Sequence, residues 1–212
     1  MSLSQAVSLP NQPHLQNAHV RDEWMRAVLS CFAHIWLTLP FSHVGLLHYE
    51  SQRASGGLWL VLFPIFVVVA GENGGLAVGM LFPGSKRPFP LLSPRKTTAG
   101  YVAQVATSAL VSAVLFHKVL ANEAYSSANA YSFVEAFSNA KAFFVTVGLV
   151  IGALLGALGA AGDLFESFFK RAFETKDAGS WLPGWGGLLD RLDGLLFSWP
   201  VFYFIMRFFS PA

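Results

Sequence analysis

The sequence predicts an all-α fold, a polytopic helical membrane protein with about five transmembrane helices and an amphipathic interfacial helix near residues 163–177. Three observations lead there. Of the 212 residues, 54% are hydrophobic and only 12% are charged, where soluble domains carry about 25% charged residues. Mean hydropathy is positive. The apolar residues, with Phe contributing 20 of them, also fall in uncharged runs of the ~20 residues that a bilayer crossing needs.

The same arithmetic removes other classes. A net charge of +2 with scattered basic residues argues against nucleic-acid binding. Cys31 is the single cysteine, so there is no internal disulfide, and no Cys/His metal spacing occurs. Residues 1–26 read as a polar N-terminal segment, uncharged before Arg21 and lacking both the apolar core of a signal peptide and the Arg-rich character of a transit peptide. Residues 27–212 read as one integral membrane domain, without internal repeats.

The first span is expected over Ala27–Leu47, opened by Arg21, Asp22, Glu23 and Arg26 and diluted by Pro40, His34, His43 and His48. The histidines form no i, i+4 pair, and a solitary histidine is a weak ligand claim. The second span, Gly57–Phe82, is apolar except for Glu72 and Asn73. An unpaired carboxylate there costs several kcal/mol, so Glu72 is paired, neutral or lines a wet cavity. With no second intramembrane acid and no repeated half, Glu72 does not make a transporter. The third span covers Ala99–Leu120 and the fourth Ala142–Ala161. The fourth carries Gly148, Gly152, Gly156 and Gly159, and small residues at this spacing let helices approach closely in lipid. The fifth, Gly194–Phe209, is short and carries Pro200 and Arg207.

Charge is concentrated. Of 14 basic and 12 acidic residues, ten lie between Asp163 and Asp193. A second cluster, Lys86, Arg87, Arg95 and Lys96, contains no acid. Two crossings separate the clusters, so they lie on one side of the membrane and can share a site. The loop between those crossings, Lys118–Lys141, is balanced by Glu123 and Glu135, which puts the clusters on the cytoplasmic or matrix-equivalent side. The organelle stays open, with the mitochondrial inner membrane preferred.

From Asp163 to Asp177 polar and apolar residues alternate with helical period, one face offering Asp163, Ser167, Lys170 and Asp177. Pro183-Gly184-Trp185-Gly186-Gly187 is a turn whose backbone can approach an anion closely. Asp190 and Asp193 follow, three apart on one helical face. Together with Asp177 they suit Mg²⁺ with phosphate completing its shell, while Lys170, Arg171, Lys176 and Arg191 suit phosphate oxygens. Phosphoryl or nucleotidyl transfer needs this combination.

Ser167-x-x-Lys170-Arg171, Lys176-Asp177, Pro183-Gly184-x-Gly186-Gly187 and Asp190-Arg191-x-Asp193 closely resemble the signature of phosphatidate cytidylyltransferases, also called CDP-diacylglycerol synthases. Upstream, Ser93-Pro94-Arg95-Lys96-Thr97 is similar to the family's Ser-Pro-Lys-Lys-Thr segment, and the resemblance covers residues 72–210. It implies Mg²⁺-dependent transfer of CMP from CTP to phosphatidate, releasing pyrophosphate. Asp177, Asp190, Asp193, Lys170 and Arg171 would be catalytic. The three aspartates, with Glu72 as a further candidate, would hold the metal. Ser93, Arg95, Lys96, Ser167, Lys176, Gly184, Gly186, Gly187 and Arg191 would bind substrate. Asp190-x-x-Asp193-Gly194 also opens the CDP-alcohol phosphotransferase pattern, but Leu196, Phe197 and Ser198 follow and no later aspartate exists.

The chain departs from the family at three places: Trp185 replaces a His, Glu72-Asn73 replaces Asp-Thr, and Thr98-Ala99-Gly100 stands where the family has Trp-Glu-Gly. It is also short, as if lacking N-terminal spans. Two readings follow. Retention of the signature's charges implies an active enzyme. The departures imply a catalytically silent relative, a lipid-binding structural subunit of a larger membrane protein complex.

Overall fold

The computed structural model describes residues 13–53, 58–116, 140–173, 175 and 187–209. Among them are five helices: α1 (Pro13–Arg53), α2 (Trp59–Leu81), α3 (Thr98–Leu115), α4 (Ala140–Ala172) and α5 (Leu189–Phe209). No strand occurs among the described residues. Four helical stretches are long and apolar enough to cross a membrane: His19–Gln52, Trp59–Leu81, Thr98–Leu115 and Ala142–Ala172. The expected fifth span is helical as α5, which opens with charge at Asp190 and closes with charge at Arg207.

Two boundaries differ from expectation for the same reason. Helix α1 extends beyond Ala27–Leu47 at both ends, because hydropathy marks only the apolar part of a helix whose flanks are polar but compatible with helical backbone. Residues 163–172 likewise do not begin a separate interfacial helix. They are the last turns of α4, which runs unbroken for 33 residues. No proline interrupts this stretch, and Gly162, tolerated within a helix, does not break it.

The chain divides into two compact units, Met1–Leu39 and Pro40–Ala212. The described part of the first is helical, with exposed Trp24, Met25, Val28 and Phe32. In the second unit α3 packs between α2 and α4, and α5 packs on α4 and α2. Its core joins Leu47, Leu60, Phe63, Val67, Val68, Phe116, Phe144, Ile151, Leu155, Leu195, Trp199 and Phe202. Phe63 stacks on Phe202 at 4.9 Å between centroids. Pro64 and Pro200 lie within helices, which membrane helices accommodate through neighbouring groups and local adjustment. At the ends of α1 and α5, Glu50 pairs with Arg207 at 3.6 Å.

The glycines of α4 do what their spacing predicts. A Cβ at Gly152 would collide with the Ser112 side chain and the Ser108 carbonyl, and one at Gly156 would meet Ser108 Cβ at 2.7 Å. One at Gly148 would meet Ala113 Cα, also at 2.7 Å. Helices α3 and α4 therefore touch backbone to backbone. The α3 side of this seam is polar: Gln104, Ser108 and Ser112 are buried at intervals of four. Ser108 also donates to the Val67 carbonyl of α2 at 3.1 Å, tying three helices together. At its N-terminus α3 is capped by Thr97, whose hydroxyl accepts the Gly100 N–H at 3.1 Å.

Gly152→Leu is expected to lower thermal stability in detergent by at least the 1–3 kcal/mol typical of overpacking. Gly45→Ala, with nothing within 4 Å of the new methyl, should leave it unchanged or slightly raised. Equal melting behaviour of the two variants would contradict the close α3–α4 contact.

Candidate active site

The polar residues gather where α2, α4 and α5 meet the start of α3. Lys96, two residues before α3, pairs with Asp163 of α4 at 2.6 Å and lies 5.6 Å above the Tyr101 ring. The basic loop and the charged end of α4 are thus joined, as the crossing parity allows. One turn further along α4, Glu166 is 1% exposed, and Lys170 bridges it at 2.5 Å to Asp190 of α5 at 2.9 Å. The i, i+4 spacing puts Glu166 and Lys170 on one face of α4, and Asp190 completes the bridge from the first turn of α5.

Asp190 also accepts the Gly187 N–H at 2.9 Å, so Gly187 is fastened to the helix it precedes. Burial works against the Asp190 carboxylate. The neighbouring Glu166 carboxyl and the hydrogen bonds donated by Lys170 and the Gly187 N–H outweigh it and hold the group down at about 2. Asp193, one turn on, is only 4% exposed. Burial, then the charges of Asp163, Glu166 and Glu72, push its carboxyl up to about 8 against a hydrogen bond from the Gly194 N–H. Two aspartates three residues apart are therefore placed oppositely, one stabilised as an anion and one crowded by other acids.

Glu72 belongs to this group. A Cβ on Gly194 would come within 2.7 Å of Glu72 Oε1 and 3.2 Å of Gly159 Cα. The bare Cα of Gly194 admits the α2 carboxylate between α4 and α5. Lys96, Asp163 and Arg191 all act electrostatically on Glu72. Its expected burial within a span thus comes with charged neighbours.

Of the other expected site residues, Ser93 and Ser167 are half-buried, and Arg95, Arg171 and Arg191 are exposed. Asp177, Lys176, Gly184, Gly186 and Trp185 lie outside the described residues. Among the described residues no three acidic, His or Cys side chains converge closely enough to hold one metal ion. The signature reading does not assign Glu166 a role, and it gives Asp163 only a place on the polar face. The signal that finds both is the run Asp163, Glu166, Lys170 on one face of a continuous helix.

Removing the central cation tests this arrangement. Lys170→Met leaves Glu166 and Asp190 facing one another and is expected to cost ~3 kcal/mol of stability in detergent. Adding Glu166→Gln should recover part of that loss, because an amide can donate to Asp190. Strict additivity of the two effects, or a Lys170→Met variant as stable as the parent, would contradict the bridge.

The cytidylyltransferase family model matches residues 4–209, extending the resemblance upstream of residue 72. Relatives named phosphatidate cytidylyltransferase include that of Staphylococcus saprophyticus, 32% identical over 165 residues, covering 78% of this chain and 55% of the relative. That of Bacillus subtilis is 32% identical over 179 residues, covering 82% and 59%. That of Rickettsia felis is 29% identical over 188 residues, covering 86% and 74%. The chain spans about half the length of the first of these. No solved structure matches. These relatives are bacterial and lend no support to the mitochondrial preference. With the long apolar helices and the family model matched over nearly the whole chain, the chain is an integral membrane protein that belongs to the cytidylyltransferase family.

Proposed function

We propose that the chain transfers CMP from CTP to phosphatidate, forming CDP-diacylglycerol and pyrophosphate. The observation that supports this most is the gathering of Lys96, Glu166, Lys170, Asp190 and Asp193 at one end of the helices, at or beside the positions where the sequence resembles the family's signature. An oxygen of the phosphatidate phosphate forms the new bond to the α-phosphorus of CTP. The bond from that phosphorus to the bridging oxygen breaks, and pyrophosphate leaves with the electron pair. Two polyanions must be brought together for this, so positioning and charge neutralisation are the main requirements.

Lys96 and Arg95 would hold phosphate oxygens from the α2–α3 loop, and Lys170, Lys176, Arg171 and Arg191 from the α4–α5 side. Ser93 and Ser167 would add hydroxyl donors. The turn containing Gly184, Gly186 and Gly187 would let the nucleotide approach main-chain N–H groups. Lys170, bound to Glu166 and Asp190, would fix the height of α5 against α4 and so orient Asp193.

The carboxylates of this cluster outnumber the cations ion-paired with them, and their oxygens are the donor type that Mg²⁺ prefers. Mg²⁺ commonly takes one or two carboxylates with water and substrate phosphate. One or two of Asp177, Asp190, Asp193 and Glu72 would hold it beside substrate phosphate, since no three of the described carboxylates converge on one ion. When bound, the ion would offset phosphate charge.

A second reading rests on Trp185, which stands where the family signature has His: a silent relative that binds phosphatidate as a structural subunit of a membrane complex. Purified full-length chain, supplied with CTP, Mg²⁺ and phosphatidate in mixed micelles, is expected to produce CDP-diacylglycerol. Asp193→Asn should lower kcat at least ~100-fold, the scale of losing one preorganised electrostatic group. Folded protein without product would overturn the enzymatic reading. Retained phosphatidate binding in that case would favour the silent one.

A further inference from the structure

The loop from residue 82 to residue 97 joins two helices that can span the membrane, Trp59–Leu81 and Thr98–Leu115. It is built rather than slack. Pro83, Pro88, Pro90 and Pro94 each fix a backbone dihedral. The Ser85 N–H donates to the Phe82 carbonyl at 3.2 Å, the Ser93 N–H to Phe89 at 2.9 Å and the Thr98 N–H to Lys86 at 2.8 Å. The last bond clasps the loop at its base. The Phe89 ring stands edge-on to Tyr101 of α3, with centroids 6.3 Å apart.

This ordered loop nevertheless presents apolar side chains outward. Leu91 is 89% exposed, and Phe89 is also exposed. Leu81 and Phe82, where the loop leaves α2, are exposed as well, so the apolar surface continues from the membrane helix onto the loop. Lys86, Arg87 and Arg95 are exposed in the same loop, and no acidic residue occurs between Glu72 and Glu123. A preorganised loop that carries exposed apolar side chains and cations and no acid has the chemistry of a surface that enters an anionic leaflet, with apolar groups at the acyl boundary and cations at the phosphates. An aqueous setting would leave Leu91 solvated with nothing to compensate it.

We propose that this loop is a membrane-inserting wedge that selects anionic phospholipid: Leu91 and Phe89 enter the leaflet on that side of the membrane, and Lys86 and Arg87 hold anionic headgroups there. The inference rests on the membrane placement of α2 and α3 and is independent of whether the chain turns over CTP.

The test uses the full chain with Cys31→Ser and Leu91→Cys, labelled with a small fluorophore. It is reconstituted into phosphatidylcholine liposomes with or without phosphatidylglycerol. The label is expected to be quenched by nitroxide carried on lipid acyl chains and shielded from aqueous iodide, more strongly in the anionic vesicles. Adding Lys86→Gln and Arg87→Gln should weaken the anionic preference about fivefold per cation removed. Quenching by iodide alone, or shielding from both quenchers through a protein contact, would overturn the proposal. So would lipid quenching that ignores headgroup charge and both glutamine substitutions.

Discussion

Backbone contact between α3 and α4 governs the second unit. Gly148, Gly152 and Gly156 leave no side chain between these helices, and Ser108 and Ser112 lie against the glycines. In lipid this matters more than in water, because apolar side chains gain little by leaving one hydrocarbon surface for another. Close packing and directed polar contacts must supply the specificity. Ser108 provides one such contact by reaching the Val67 carbonyl, so the same seam fixes α2. With three helices locked in height, Lys96 at the start of α3 comes to the level of Asp163 near the end of α4.

The electrostatic arrangement follows from that registration. Helix α4 carries Asp163, Glu166 and Lys170 on one face, α5 adds Asp190 and Asp193, and α2 contributes Glu72 against Gly194. Each acid alone is a poor choice for a buried position. Together with Lys96 and Lys170 they form a partly compensated network that retains an excess of oxygen donors. Asp190 and Asp193 show how neighbours rather than residue type decide the outcome. Asp190 is held ionised by Lys170 and the Gly187 N–H, while Asp193 is pressed towards its neutral form by burial and surrounding carboxylates.

Much of this was legible before any coordinates. Apolar run length located α2 almost to the residue, and the glycine spacing of α4 named the residues that touch α3. Counting crossings puts the Lys96 loop on the same side of the membrane as the charged end of α4. What escaped had physical causes. The continuity of α4 past residue 161 was hidden because hydropathy falls where the helix leaves the apolar layer, although the backbone has no reason to stop. Motif spacing favours signature residues and gives Glu166 no role, whereas its burial depends on Lys170 and Asp190 arriving from different positions in the chain. The exposure of Leu91 could not be read from a Pro-rich segment, since it depends on how the Thr98–Lys86 clasp directs the loop. Asp177 and the turn through Gly186 lie outside the described residues, so their expected roles rest on sequence resemblance.

The unbroken course of α4 also has a mechanical consequence. Thirty-three helical residues extend about 50 Å, against a hydrocarbon thickness of ~30 Å. Its final turns are therefore a stiff lever clamped at the α3 seam and carrying charge at the far end. A thinner or thicker bilayer is accommodated by changing tilt. The Lys96–Asp163 and Lys170–Asp190 pairs fasten that end to its neighbours, so the helices share the tilt and the charged groups keep their alignment as it changes.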